Sequence, residues 1–187
     1  MADYQRVRRQ QLLREAEGYL ELITAFHAPY SAKPALRRTM AERVLATLRR
    51  MPPTTGHRGH ALYLQGQALR VLSRYREAVE AFKEAAELDP DNLRLWLALG
   101  WCHKRCGRLD LAIQALEEAL CVDSSEAIVH YNLACYWSLA RNVKLSVAYL
   151  ARAFELDPNY RDHVHAEADF DPIRQHPDFL SLTSVIV

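Results

Sequence analysis

The sequence predicts an all-α fold built from stacked, antiparallel helix pairs. The tetrapeptide Glu-Leu-Asp-Pro occurs at residues 87–90 and again at 155–158, an offset of 68 residues, or twice 34. Large and small residues recur at the same 34-residue spacing through the intervening chain. A fixed period of about 34 residues is typical of repeats made of one helix pair. One pair cannot bury its own apolar face, so such pairs stack into arrays.

The periodic positions follow the packing needs of two crossing helices. The recurring sets, each spaced by 34, are Leu62, Trp96 and His130; Gly66, Gly100 and Ala134; Ala78, Ala112 and Ser146; Phe82, Leu116 and Leu150; and Ala85, Ala119 and Ala153. Small residues are expected where two backbones approach, and larger side chains fill the space beside them. Pro90 and Pro158 are expected to stop the second helix of their pairs.

These residues resemble the tetratricopeptide repeat family. That family's pattern is a large residue, a small one four later, then Ala, an aromatic or Leu, Ala, and Pro. The resemblance covers residues 59–160 and implies three consecutive repeats, at 59–92, 93–126 and 127–160. It also implies a solenoid, a right-handed α-α superhelix of antiparallel pairs with helical caps at both ends. This chain departs from the pattern at Gln65, Ser124 and Ser146, where Leu, Pro and Ala are usual.

Both flanks are expected to act as caps. Residues 1–57 are interpreted as an N-terminal helical cap, a divergent pair with Pro29 ending one helix and Pro34 opening another that runs to about Met51. The first helix has apolar residues at helical spacing: Leu12, Ala16, Tyr19, Leu20, Ile23 and Phe26. Residues 52–56 are expected to form a loop. Residues 161–187 resemble a segment that closes bacterial arrays, and its expected packing residues are Ile173, Phe179, Leu180 and Leu182.

The resemblance implies a concave groove lined by the first helix of each pair. Counting helical positions against the packed ones predicts the partner-binding residues Tyr63, Gln67, Arg70, Arg94, Leu97, Trp101, Lys104, Arg105, Tyr131, Asn132 and Cys135. Aromatic residues beside Arg and Lys are typical of recognition surfaces. The alternative is that these aromatic residues shield loose packing or contact the capping segment.

The predicted partner is a protein or peptide with apolar anchors and some acidic residues, and Trp101 is the predicted anchor. Family members that bind chaperone C-terminal tails use Lys, Asn and Arg at fixed groove positions, which hold Tyr63, Gln67, Ala98, Ile128 and Asn132 here. Only Asn132 is of that kind, which argues against chaperone tails. Homotypic assembly remains an alternative.

Catalysis and metal binding find little support. The chain has six glycines and neither a Gly-rich phosphate loop nor a Gly-x-Ser-x-Gly motif. Possible metal ligands are His163, His165, Asp169, Asp171 and His176, and the pair Cys102 and Cys106. A solvated cap and ordinary helix packing are the favoured interpretations of these two groups. We expect a non-enzymatic protein without cofactor or stoichiometric zinc.

Charge is unevenly distributed along the chain, although the formal net charge is only +1. Residues 1–57 carry ten basic and five acidic residues (+5), and residues 160–187 carry two basic and five acidic residues (−3). A nucleic-acid adaptor using Arg6, Arg8, Arg9 and Arg14 is a further alternative, but Glu15, Glu17 and Glu21 lie nearby. No signal peptide or membrane-spanning run is found, so a soluble, cytoplasmic protein is expected.

Overall fold

The computed structural model describes residues 2–25, 33–51 and 57–184, and this part of the chain contains helices and no β-strand. The helices are α1 (Ala2–Ala25), α2 (Pro34–Arg49), α3 (Arg58–Val71), α4 (Tyr75–Leu88), α5 (Leu93–Arg105), α6 (Leu109–Val122), α7 (Ala127–Leu139), α8 (Val143–Leu156), α9 (Tyr160–Val164) and α10 (Pro177–Thr183), with a 3-10 turn at Ala168–Phe170. The predicted all-α fold of helix pairs is confirmed. The expectations for Phe26, Pro29 and the loop at 52–56 lie outside the described residues. None of the described helices is long and apolar enough to cross a membrane.

The chain divides into two compact units, and the first comprises residues 1–95. In it α1 packs against α2 and α3, and α3 packs against α4. Leu12, Ala16 and Ile23 of α1 are buried as predicted, whereas Tyr19 and Leu20 are half-buried. A hydrogen bond also joins α1 and α2: the Thr47 hydroxyl of α2 donates to the Glu15 carboxylate of α1 at 3.1 Å.

The small residues of the 34-residue pattern lie at close helix crossings. In the first unit, a Cβ added to Gly66 would lie 2.5 Å from Cε1 of Phe82, which is fully buried. In the second unit, residues 96–187, a Cβ on Gly100 would lie 3.1 Å from Cδ2 of Leu116. At the third crossing, Ser146 replaces the usual Ala, and its buried hydroxyl donates to the Ala134 carbonyl at 2.7 Å. This hydrogen bond explains why a polar residue is tolerated there.

The turn inside each repeat pair has one conformation. Ser73, Gly107 and Arg141, spaced by 34 residues, have φ values of 59°, 75° and 59°. The residue after each turn donates its N–H back across it, as Arg74 does to the Leu69 carbonyl at 2.9 Å. This pattern ends a helix with a left-handed residue, a position where glycine is usual. Two of the three turns adopt it without glycine.

The C-terminal segment, residues 160–184, packs on the last helix pair of the second unit. The 3-10 turn contacts α7, and α9 and α10 contact α8. Phe170, Ile173 and Phe179 are buried. Arg174 fixes the segment from within by donating to the carbonyls of Val164, His165 and Glu167. The expectation that Leu180 packs inward is wrong, since 46% of it is exposed.

Candidate partner-binding site

The first-unit candidates lie on α3 and at the start of α5. Tyr63, Gln67 and Arg70 are half-buried, and Arg94 is exposed. The Tyr63 ring lies 6.0 Å from the Phe82 ring, so one edge of it rests on the core. Arg70 donates to the Gln67 side-chain oxygen at 3.0 Å. On α3, Gln67 and Arg70 therefore form a polar surface, and the Tyr63 ring packs against Phe82 of the core.

A cavity of about 360 Å³ brings Tyr63 and Arg94 together. Its remaining lining is His57, Arg58, Gly59, His60, Leu88, Asp89, Asn92 and Leu95. Arg58 bonds to Glu84 at 2.8 Å, and His60 bonds to Glu17 at 2.6 Å, so two of its basic side chains already have carboxylate partners. Sequence reasoning missed His57, Arg58 and His60. They lie at the N-terminal end of α3, where the 34-residue pattern contains no diagnostic residue.

Helix α5 carries the predicted anchor. Leu97 and Trp101 are half-buried, and Arg105 is exposed one turn beyond Trp101. The Arg105 guanidinium lies 5.7 Å from the centroid of the Trp101 ring. Such a cation–π arrangement holds the indole in a defined orientation and keeps a positive charge beside it. An apolar side chain with an adjacent carboxylate would be complementary to this pair.

Three predicted residues are covered by the C-terminal segment. Lys104 pairs with Asp169 in a partly buried salt bridge. Tyr131 is 6% exposed, with the rings of Tyr160 and Phe170 at 4.7 and 5.7 Å from its own. Cys135 is 2% exposed. The expectation that Tyr131 and Cys135 face a partner is therefore corrected, because residues 160–170 lie over them. Asn132, between them, stays half-buried.

Burial also changes the protonation chemistry of this covered region. Loss of solvent raises the pKa of the Cys135 thiol well above its usual range, and the nearby Asp169 and Glu167 carboxylates raise it further. Burial is likewise the largest cause that raises the pKa of Tyr131, and the electrostatic effect of Cys135 is the second largest. Both side chains are neutral near pH 7. Cys135 is thus a core residue and not a reactive thiol.

Three of the residues considered as metal ligands make structural contacts instead. Asp169 pairs with Lys104, and Asp171 accepts from Arg174 at 2.7 Å. His176 accepts the Asp178 backbone N–H through Nδ1 at 3.3 Å, which caps α10. Among the described residues, no group of three or more His, Cys, Asp or Glu is placed to hold a metal ion. Cys102 is fully buried in α5.

Comparison with known proteins adds a family match and one sequence relative. A family model of the tetratricopeptide repeat matches residues 63–128. The chain is also similar to Superkiller protein 3 of Schizosaccharomyces pombe, with 34% identity over 89 residues. That similarity covers 48% of this chain and 6% of the relative, so the chain spans a small part of that protein's length.

Two examples represent the solved structures that share the fold. One is YrrB, described as a TPR protein with an unusual peptide-binding site, with a TM-score of 0.58 and 21% identity. The matched region is 71% of this chain and 65% of the YrrB chain, so less than two thirds of YrrB is covered. The other is MamA, residues 41 to the end, from Desulfovibrio magneticus RS-1, with a TM-score of 0.64 and 20% identity, covering 90% of this chain and 89% of that one. Identities this low show a common helix-pair fold.

Proposed function

Because this chain is a tetratricopeptide repeat protein, we propose that it is a non-enzymatic scaffold that binds a protein or peptide on the first helices of its repeat pairs. The repeat fold supports protein–protein interaction in general. The peptide-binding site ascribed to YrrB supports the same kind of ligand here. The proposed surface consists of two patches, one in each unit: Tyr63, Gln67, Arg70 and Arg94 in the first, and Leu97, Trp101, Arg105 and Asn132 in the second.

The observation that carries the proposal is the pairing of Trp101 with Arg105. A half-buried indole beneath a guanidinium offers apolar area and a positive charge at one place. Aromatic and arginine residues are the types in which binding energy concentrates at interfaces. These features favour a partner that carries a carboxylate beside an apolar anchor.

Capture experiments with the full chain test this proposal. Trp101→Ala should weaken partner capture from the native source by about 30-fold, which corresponds to roughly 2 kcal/mol. Trp137→Ala is the matched control, because Trp137 is also half-buried and is not one of the proposed residues. The two variants should lose comparable stability, and only Trp101→Ala should lose the partner. Arg105→Glu should slow association and reduce its salt dependence.

Two results would count against the proposal. If folded Trp101→Ala captures the partner as well as Trp137→Ala does, the binding surface lies elsewhere, and the basic N-terminal helix pair becomes the next candidate. If Trp101→Ala unfolds while Trp137→Ala does not, Trp101 is a core residue. Circular dichroism on both variants separates these cases.

A further inference from the structure

The C-terminal segment lies over a small set of side chains on α5 and α7, which we call the covered face: Lys104, Tyr131 and Cys135. All three belong to the second unit. The repeat pattern counts them among the groove positions, and in the structure their neighbour is this chain's own 3-10 turn, Ala168–Phe170. None of them belongs to the two patches proposed above for partner binding. The contacts of the turn therefore indicate what chemistry the covered face accepts.

The turn presents a carboxylate to the covered face. Asp169 forms a salt bridge with Lys104, and only 18% of the Asp169 side chain and 23% of the Lys104 side chain are exposed. The Lys104 ammonium also lies 5.4 Å from the centroid of the Tyr136 ring, an arrangement that favours its charged form at this place. Charges partly withdrawn from water are screened less than charges at the surface. Lys104 is therefore a well-placed receptor for one carboxylate.

The next residue of the turn presents an aromatic ring. Phe170 is fully buried, and its ring meets the Tyr131 ring at 5.7 Å with an angle of 85° between the two planes. This edge-to-face arrangement is one of the two that aromatic pairs prefer. The Tyr160 ring lies on another side of Tyr131, at 4.7 Å. The covered face thus holds an acidic residue followed directly by an aromatic one.

The turn satisfies this face incompletely. The Tyr131 hydroxyl is enclosed and has no hydrogen-bond partner within the described part of the chain. A buried hydroxyl without a partner costs free energy that a better-fitting ligand would recover. The turn itself is three residues long, and α9 and α10 pack mainly against α8 rather than α7. Opening the turn therefore does not require that α9 and α10 leave α8.

We propose that Lys104 and Tyr131 form a recognition site for a partner segment that carries an acidic residue followed directly by an aromatic one. The turn at Asp169 and Phe170 is the resident occupant of this site, and the partner segment displaces it. The partner's carboxylate pairs with Lys104, its ring packs on Tyr131, and a carbonyl of its backbone accepts from the Tyr131 hydroxyl. The chemistry of the occupant is the reason for assigning this chemistry to the partner.

Competition from within the chain determines the affinity for an outside segment. That affinity is reduced by the fraction of chains whose turn is open, so weakening the turn's own contact should strengthen outside binding. This inference rests on the proposed function, because it names what the partner presents. Its test uses a synthetic peptide and leaves Trp101 unchanged, so the peptide test and the Trp101 capture test can fail separately.

The test measures fluorescence anisotropy with the full chain and a fluorescein-labelled synthetic peptide that has the sequence of residues 160–184. Asp169→Asn in the full chain should bind the peptide more tightly than the wild type by about fivefold or more, because the turn is weakened while Lys104 remains for the peptide's carboxylate. Asp162→Asn is the matched control at an exposed position of α9 and should bind as the wild type does. Circular dichroism checks that each variant is folded.

A second variant breaks the same salt bridge from its other side. Lys104→Gln also weakens the turn, but it removes the receptor for the peptide's carboxylate. The gain and the loss nearly cancel, so its affinity for the peptide should stay within about twofold of the wild type. A peptide with Asn in place of Asp169 should bind the Asp169→Asn protein about fivefold more weakly than the unmodified peptide does, whereas the Lys104→Gln protein should not distinguish the two peptides.

Three results would overturn the proposal. Equal peptide binding by the wild type and Asp169→Asn would show that the turn is not a competitor. Equal binding by Asp169→Asn and Lys104→Gln would show that a loosened turn merely exposes an unspecific surface. Dimerisation of Asp169→Asn in sedimentation velocity would show that the occupant is a second copy and not an outside partner.

Another variant repeats the comparison if Asp169→Asn fails to fold. The Glu167 carboxylate accepts the Asp169 backbone N–H at 3.1 Å and so caps the turn. Glu167→Ala removes this cap and leaves both Lys104 and Asp169 in place. It should tighten peptide binding by about threefold or more, and an unchanged affinity would contradict the assignment.

Discussion

The backbone of Gly66 lies against the ring of Phe82, and replacing this glycine tests the repeat packing most directly. An alanine Cβ at position 66 would lie 2.5, 2.6 and 2.7 Å from three carbons of the ring. Carbon atoms in contact are ordinarily about 3.5–4.0 Å apart, so the ring must retreat by about 1 Å. Phe82 has no exposed surface and is therefore surrounded on its other side.

The expected loss of folding stability in Gly66→Ala is the difference between two opposing contributions to the free energy. Overpacking costs about 1–3 kcal/mol, and the enclosed Phe82 ring, which must move by about 1 Å, places this site at about 2–3 kcal/mol; alanine returns about 1 kcal/mol through its higher helix propensity. We expect Gly66→Ala to destabilise the protein by about 1–2 kcal/mol, or about 2–8 °C in melting temperature for a chain of this size. Gly100→Ala is the matched control. Its Cβ contacts are 3.1–3.2 Å, so a small shift suffices and the two terms nearly cancel.

Urea and thermal denaturation followed by circular dichroism measure both variants. Phe82→Leu should relieve the clash, because the second repeat already pairs glycine with Leu116 and the third pairs Ala134 with Leu150. The double-mutant cycle should therefore show a favourable coupling free energy of about 1 kcal/mol or more between positions 66 and 82. Equal stability of Gly66→Ala and Gly100→Ala would refute this account of the crossing.

The remaining predictions concern the second unit. Gly100→Leu should destabilise by more than about 2 kcal/mol, because its extra carbons have no space beside Leu116; an unchanged thermal melt would place the crossing elsewhere. The raised pKa of Cys135 means that the folded chain keeps a proton that the unfolded chain loses above pH about 8.5, so stability should fall as pH rises beyond that value. Urea melts at several pH values should show this slope reduced in Cys135→Ala. Asp169→Asn should cost about 1–2 kcal/mol by leaving the Lys104 ammonium without its carboxylate, and a melt equal to wild type would show that the salt bridge contributes nothing.

The repeat positions were predictable because their signal is local and periodic. Gly66, Gly100 and Ala134 are fixed by the space between two helices that are neighbours in sequence, and the 34-residue spacing records that constraint three times. The same reasoning assigned burial to Leu12, Ala16 and Ile23 from helical spacing alone.

The candidate site was less predictable because it depends on segments distant in sequence. Helical counting on α7 separates Tyr131 and Cys135 from the packed positions, but it contains no information on residues 160–170, which cover them. Leu180 was expected in the core because it is apolar. Only the position of α10 on α8 shows that Phe179 takes the inward place and leaves Leu180 outside.

The cavity beside Tyr63 has a similar origin. Its walls come from the start of α3 and from the turn between α4 and α5, about 30 residues apart. A periodic pattern identifies which residues pack within a repeat. It does not identify the spaces left between the ends of successive helices, where basic residues such as Arg58 and Arg94 gather.

The left-handed turns at Ser73, Gly107 and Arg141 bear on the order of events in folding. A left-handed conformation costs about 1–2 kcal/mol for a residue other than glycine, so neither Ser73 nor Arg141 selects it by local preference. The docking of the two helices must impose it. These turns are therefore expected to close after the helices meet, late on the folding pathway, so that changes at residues 73 and 141 alter the rate of unfolding more than the rate of folding.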